Sequence, residues 1–507
     1  YRIFEDDRLL IYSGPGVRAG TLDQAKELGV NVVRVQFTWR NIALAKPKNP
    51  SDPAAYGSAW SNWDSLVIEA HKRGIKVLAT VSGPAPGWAA GKTGKWFTGS
   101  RYPSAKAFGE FMTAVGRRYS GRAKATAVAQ GAGLIDPFPC TPVPPIVTCA
   151  PDGTPVVGPP PPPGDGGSGS GNPPPPPPDS GEQSPPPPPG SGAPTPPVPP
   201  GTPLPKVDMW SIYNEPNHPL FLSPQRHHGV LTAPSLYRGL YRAGWNALAR
   251  TGHRRDTILI GETLPIGTNA NRETSTTSPL TFARELFCLN GRGKAHPGCG
   301  HRFKKLRASG WALHPYYRKT GPFSHPPGRD DLTPMAVGRL RALLANAGRR
   351  GRVSKGLALW DTENGSQTRP PDPKGATLAR QARFINEAEY LDWRTPYMRS
   401  FSQYLLIDDQ PVWAFQSGLR FQNGAPKPAL AAYQLPIYVK KAGRGVVVWG
   451  HIPLGGDRVV TIHRSRGGDV RVHVRDRRGY FTKRLKRRAP SYTLSYGGFG
   501  SRHAAPR

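Results

Sequence analysis

Two glutamates, each closing an apolar run, are the residues of this chain around which chemistry is most readily built. Glu215 lies in Trp210-Ser211-Ile212-Tyr213-Asn214-Glu215-Pro216-Asn217, and Glu363 in Leu359-Trp360-Asp361-Thr362-Glu363-Asn364-Gly365. Residues 207–213 alternate apolar and polar side chains in the two-residue period of a short buried strand, and Pro216, which lacks an N–H, forbids its continuation. Each glutamate is thereby offered at a strand's C-terminal end. Two carboxyl groups in different protonation states suit cleavage of a glycosidic bond. One protonates the departing oxygen, the other attacks the anomeric carbon, and an amide such as that of Asn214 holds a neighbouring sugar hydroxyl. Glu215 must then keep its proton near neutral pH, and the negative charge of Glu363 is expected to raise its pKa. The chemistry requires neither a metal nor an organic cofactor.

The elements that must position these groups alternate strand and helix. A first strand is expected over 7–14, then a helix over 21–29 with Thr21 as its cap and Gly29 as its stop. Residues 31–39 are rich in β-branched side chains and carry Arg34 into a buried strand. That placement is costly unless the guanidinium meets carboxylates, here or on a neighbouring helix. A helix over 60–74, a third strand over 75–81 and a helix over 106–120 follow, with Trp88 in the intervening loop either a stacking platform for a sugar or a brace. The strand of Glu215 is the fourth. A helix at 235–251 leads to a fifth strand, 257–262, whose last residue, Glu262, competes for a catalytic role but lacks a flanking Asn and reads as a substrate or support residue. A sixth strand over 310–316 places His314 and Tyr316 two residues apart and so on one face. Helices over 332–347 and 376–391 and strands over 355–364 and 400–406 complete an α/β chain whose expected architecture is a (β/α)8 TIM barrel. In such a barrel, reacting groups gather at the C-terminal ends of the strands.

The 507 residues include 60 prolines and 59 glycines, and half of the prolines fall between 137 and 205, where proline runs alternate with Gly/Ser stretches that cannot bury a core. Only three strand–helix units precede that stretch, so it is expected to be a disordered insertion within a barrel made of residues 1–136 and 206–435. From about Pro436 the period changes to two, which predicts a small β-sandwich over 436–507, either an accessory module touching glycan or cell wall or a stabilising cap. The net charge of +35 comes from arginines spread along the chain. Without any nucleic-acid-binding signature it suggests contact with anionic wall or glycan rather than specific nucleic acid. The chain starts at Tyr1 with no signal-like segment and reads as mature or truncated, and no apolar run is long enough for a membrane span. Cys140 with Cys149 and Cys288 with Cys299 each close a short loop. Disulfides in a secreted protein are the favoured reading, because neither spacing is zinc-like. A monomer is expected.

Together the two glutamate segments resemble the acid/base and nucleophile strands of the retaining glycoside hydrolases of clan A, in particular cellulase-like barrels of the family 5 and 39 type. Their patterns are Asn-Glu-Pro on strand four and Thr-Glu followed by Phe or Asn-Gly on strand seven. Segments 417–421 and 423–429 resemble the stretch that closes such barrels. Asn364 departs from the aromatic of many cellulase-like members and is closer to the family 1 β-glucosidase pattern, which touches sugar specificity. The resemblance implies that Glu215 is the acid/base and Glu363 the nucleophile, that Arg34 supports the nucleophile, and that His314 and Tyr316 face the site with the tyrosine bonded to it. It also implies an aromatic floor, Tyr404 or Trp413, beneath the cleaved sugar. The substrate class would be a polysaccharide or oligosaccharide. A glycan-binding protein on a dead barrel and a transglycosylase are the rival readings.

Overall fold

Eight short runs, most of them rich in Val, Ile, Leu or Trp, form parallel strands: β1 (Arg2–Glu5), β2 (Val32–Thr38), β3 (Lys76–Ser82), β4 (Met209–Ile212), β5 (Thr257–Thr263), β6 (Gly310–Leu313), β7 (Ala358–Asp361) and β8 (Phe401–Tyr404). The computed structural model describes residues 1–91, 99–125, 198–296, 303–317, 320–410, 414–453 and 458–507, and the backbone of Thr148–Cys149 and Pro155–Val156. Most of the expected insertion, Cys140, the side chain of Cys149, Cys299 and Trp413 lie outside the described residues, and with them both cysteine pairings. Cys288 is described and buried.

Strand order is β7-β6-β5-β4-β3-β2-β1-β8. The two ends meet where Leu359 N donates to Tyr397 O and Arg399 N to Leu359 O, both at 2.9 Å. Side chains complete the seam, Ser400 Oγ donating to Asp361 O at 2.7 Å and Ser402 Oγ to Thr362 O at 3.0 Å. The sheet is therefore a closed barrel. Around it lie α1 (Pro15–Glu27), α2 (Ser61–Lys72), α3 (Ala105–Arg118), α4 (Ala233–Arg250), α5 (Pro279–Leu286), α6 (Val337–Arg349), α7 (Leu378–Arg394) and α8 (Pro428–Gln434). Strand periodicity layers the interior. Ile3, Val32, Leu78, Met209, Leu259, Ala312 and Trp360 form one apolar cluster drawn from seven strands. Two residues further along, the same inward face turns polar with Glu5, Arg34, Thr80, Ser211, His314 and Thr362, all buried.

Three sequence expectations are corrected here. Strand one is Arg2–Glu5 and not 7–14, because the apolar run Leu9-Leu10-Ile11 folds into a buried π-helical turn, Arg8–Tyr12, with Asp6 Oδ1 accepting Leu9 N at 3.1 Å. Thr21 does not cap a helix. It sits inside α1, which starts at Pro15, and its hydroxyl donates to Val17 O at 2.8 Å; Gly29 (φ 77) does end that segment. Strand six stops at Leu313, so His314 and Tyr316 project from the loop beyond it.

Residues 201–204 pair back on 123–125, Ala125 N donating to Thr202 O at 2.8 Å and Leu204 N to Ala123 O at 2.9 Å, and this ties the chain before and after the proline-rich stretch at one place. Beyond α8, β9 (Ile437–Ala442), β10 (Gly445–His451), β11 (Val459–Arg464), β12 (Val470–His473), β13 (Tyr480–Leu485), β14 (Tyr492–Tyr496) and β15 (Phe499–Gly500) form two antiparallel sheets, β9-β10-β13 and β12-β11-β14-β15. They share one core that includes Val439, Val448, Ile462 and Leu494. The sandwich docks on α7. Tyr438 stacks on Tyr390 at 4.2 Å, and the buried Glu389 is approached by Arg2 Nε, His451 Nδ1 and Tyr480 Oη, each at 3.2 Å.

Glu389 is thus the counter-charge of a buried arginine on β1. Removing it strands Arg2, so Glu389→Ala is expected to destabilise the protein by about 3–5 kcal/mol in denaturant or thermal unfolding. A loss below about 1 kcal/mol would show that Arg2 finds another partner.

Candidate active site

Arg34 organises the site. Its position on β2 points it into the barrel, where it is fully buried and its donors meet groups from four other strands or their ends. Nε donates to Glu262 Oε1 at 3.0 Å and Nη2 to Glu262 Oε2 at 2.9 Å, a bidentate pair. Nη1 donates to Glu363 Oε2 at 2.9 Å and also to Glu5 Oε2. Nη2 further donates to Asn214 Oδ1 at 2.6 Å. Burial opposes the guanidinium's charge, but Glu262, Glu5 and Glu363 outweigh it and hold Arg34 well above its ordinary pKa. Burial drives Glu5 the other way, well above the usual carboxylate range despite Arg34.

Glu363, just past β7, is held at both oxygens. Tyr316 Oη donates to Oε1 at 2.8 Å, while Oε2 faces Arg34. Burial first, and then the carboxylate of Glu363, push the Tyr316 phenol well above its ordinary pKa, so it remains a donor. Glu215 meets His314, whose Nδ1 lies 2.8 Å from Glu215 Oε1. Burial pushes Glu215 up to about 7, against the nearby His218 and Arg34 and with help from Glu262. The expected cause, the charge of Glu363, is corrected accordingly: desolvation is the main effect and Glu262 the assisting charge. His314 is lowered, chiefly by burial, and so is neutral near pH 7. The loop at Glu215 is conformationally demanding: Tyr213 (φ 76), Glu215 (φ 36) and Glu262 (φ 47) all sit in the left-handed region. Glu215 N donates to Glu262 O at 2.9 Å, which ties the two strand ends together.

Exposure separates the four glutamates. The side chains of Glu215 and Glu363 are 16% and 10% exposed, whereas Glu262 and Glu5 are at 0% and 1%. Only the first two open to solvent, while Glu262 is sealed beneath Arg34. One oxygen from each of Glu215 and Glu363 and one nitrogen of His314 lie within 4.8 Å of one another. By donor type the set could take a divalent cation. Glu363 already accepts from Tyr316 and Arg34, however, and a cation would stand against the fixed guanidinium. Asn214 turns its carbonyl oxygen to Arg34, which leaves its NH2 without a partner among the described residues and free to donate to a sugar hydroxyl.

Of the remaining expected residues, Trp88 is held in its loop as a half-buried ring, its Nε1 donating to Ala43 O at 3.0 Å and its ring standing edge-on to Trp39 at 6.0 Å. Tyr404 pairs with Glu5 across β1 and β8, its N donates to Asn364 O at 2.7 Å, and its ring is edge-on to Phe415 at 5.3 Å, so it reaches the site as a half-buried aromatic. Glu5 and His218 escaped sequence reasoning. Glu5 was hidden by the misplaced first strand, although an acid directly ending an Ile-Phe pair is a strand-end signal. His218 N donates to Glu215 O at 2.8 Å and its Nδ1 accepts Leu220 N at 3.2 Å, contacts made within a loop that has no periodicity to read.

No family model and no curated protein sequence matches this chain. Solved structures similar to it include a family 39 glycoside hydrolase from the gut symbiont Bacteroides cellulosilyticus WH2, at 12% identity, 96% of this chain and 78% of that one covered, and a TM-score of 0.49. A glucosidase from Croceicoccus marinus is similar at 12% identity, 94% and 79% coverage and 0.47, and a GH30 endoxylanase from Clostridium papyrosolvens C71 at 10% identity, 96% and 93% coverage and 0.43. At these TM-scores the likeness is general, and the functional case rests on the site's own geometry. The (β/α)8 barrel with a glutamate after strand four and another after strand seven is the arrangement implied by the resemblance to clan A glycoside hydrolases.

A carboxyl group pushed up to about 7 is protonated below that pH and loses its proton as pH rises through it. With a substrate whose leaving group needs protonation, kcat/KM is expected to fall about tenfold per pH unit above that point. A profile flat to pH 9 would show that Glu215 does not supply the proton.

Proposed function

We propose that the protein hydrolyses β-linked O-glycosidic bonds of a polysaccharide or oligosaccharide by double displacement, with retention of configuration. One observation carries this reading. Two carboxylates, the two glutamates of the cluster that open to the cleft, bring oxygens within 4.8 Å, which suits the ~5 Å spacing of direct nucleophilic attack better than the ~6.5–9.5 Å that an interposed water needs. Their surroundings support a division of roles. Glu363, paired with Arg34 and accepting from Tyr316, attacks the anomeric carbon as the bond to the departing oxygen breaks. Glu215, kept protonated by burial, gives that oxygen its proton. Glu215 then takes a proton from water, whose oxygen displaces Glu363 from the anomeric carbon. Asn214 donates to the sugar's 2-hydroxyl and Tyr404 lies beneath the cleaved sugar. An extracellular setting, with Cys140 joined to Cys149 and Cys288 to Cys299, belongs to the same proposal. Transglycosylation would use the same residues and differs only in the acceptor, so product analysis with and without added acceptor sugar separates the two.

The roles fail differently on substitution. Glu363→Gln is expected to lose several orders of magnitude in turnover on every substrate. Glu215→Ala is expected to retain glycosylation from a dinitrophenyl glycoside, to stall at deglycosylation, and to regain turnover with azide, which needs no general base and yields a β-glycosyl azide. Glu262→Ala should show no azide effect. Rescue of Glu262→Ala in place of Glu215→Ala would move the acid/base to β5 and overturn the assignment.

A further inference from the structure

Beyond β7 the chain makes a tight hook before α7. Thr368 pairs with Ala376 and Arg369 with Thr377, and Gly375 N donates to Asp372 O at 3.0 Å. A Cβ on Gly375 would stand 2.5 Å from the carbonyl carbon of Thr368, so the hook closes this far only with glycine there. Thr377 Oγ1 then accepts Arg380 N at 3.3 Å and starts the helix. The hook, the first turns of α7 and Thr320 of the preceding loop enclose a cleft of about 580 Å³. Among the described residues its lining carries four cations, Arg369, Lys374, Arg380 and Arg383, around Phe384, and no acid. Arg383 has a partner, Glu387, at 3.4 Å. The side chains of Arg369, Lys374 and Arg380 make no ion pair with any described residue. Asp372, the acid of the hook, is engaged by the backbone N of Lys374 at 2.8 Å.

We propose that this cleft is a subsite for an anionic substituent of the glycan, a uronate carboxylate or a sulfate ester. Unpaired like charges gathered in a concavity repel one another and focus a field that favours an oxyanion, and guanidinium groups match both candidates in geometry. Its place in the barrel ties it to the reaction. Both bounding loops leave the C-terminal ends of barrel strands, the face that carries Glu215 and Glu363. Tyr316, which donates to Glu363, is followed by Tyr317, whose ring stands edge-on to Phe384 in the cleft wall at 5.7 Å. The cleft therefore opens at the same end of the barrel as Glu363, where an extended saccharide cleaved there would run, and the inference rests on the glycosidase reading of that centre.

The test measures binding of defined oligosaccharides to the full chain carrying Glu363→Gln, so that nothing is cleaved. Uronate-bearing, sulfated and neutral oligosaccharides of equal length are compared. One or both anionic sets should bind about tenfold or more tightly than the neutral set, and which of them does identifies the substituent. Lys374→Ala with Arg380→Ala should abolish that preference with an unchanged thermal midpoint. Arg380→Gln alone serves if the double variant does not fold. Arg471→Ala with Arg484→Ala removes the same charge from exposed sandwich positions and should keep the preference. Equal binding of anionic and neutral sets overturns the inference, and so does an equal loss in the sandwich variant, which would trace the effect to the chain's overall charge. Hydrolysis of aryl glycosides by the unmodified chain reads the catalytic proposal separately: turnover without anionic preference sinks the subsite alone, and anionic preference without turnover sinks the glycosidase reading alone.

Discussion

One guanidinium buried in the barrel couples the carboxylates of the candidate site to the fold. Arg34 is inaccessible to solvent, and a cation so placed is tolerated only where its donors are met by opposite charge in good geometry. Glu5 at the end of β1, Asn214 after β4, Glu262 on β5 and Glu363 after β7 must all reach the same height in the barrel to meet it. Strand register and catalytic geometry are therefore one requirement. Three carboxylates around one cation leave an excess of negative charge, and the upward shift of Glu5, caused by burial, relieves it by favouring the protonated form. Glu363, the member that opens to the cleft, keeps the guanidinium and the Tyr316 hydroxyl as its donors.

Glu215 stands beside this network and is governed by burial instead. With its pKa pushed up to about 7 and a neutral His314 at 2.8 Å, the group can hold a proton near neutral pH. Two glutamates in one cleft thus have different surroundings, which is what the proposed division of acid/base and nucleophile requires. The four residues of β1 join this arrangement to the far side of the molecule, since Glu5 meets Arg34 while Arg2 meets Glu389 at the sandwich dock. Tyr438, Trp449 and Tyr480 of the sandwich are committed to contact with α7 and its surroundings, which is the behaviour of a structural cap on that face.

Much of this was legible in the residues. Apolar runs ending in Glu215 and Glu363, and a charged residue inside the β-branched run of β2, carry information locally, and they mark the barrel, the two glutamates and Arg34. Other features depend on partners far away in the chain. Arg2-Ile3-Phe4-Glu5 looks too polar at its ends to be a buried strand until Glu389 and Arg34 are set beside it, whereas Leu9-Leu10-Ile11 looks like a strand and is folded back by Asp6. The role of Glu262 is set by being sealed beneath Arg34, a fact of burial and not of motif. Trp88 reads equally as a sugar platform or a brace, and its bond to Ala43 O and its contact with Trp39 are visible only in the fold.

The account stands most directly on Glu363 forming a covalent bond to the sugar. Incubation with a 2-deoxy-2-fluoroglycoside carrying a good leaving group slows both steps but lets the first outrun the second, so the glycosyl-enzyme accumulates and its site can be mapped by mass spectrometry of peptides. The expected result is one adduct per chain, on the peptide containing Glu363. An adduct on Glu215 or Glu262, or hydrolysis of the unfluorinated substrate with inversion and no adduct at any dose, would contradict it.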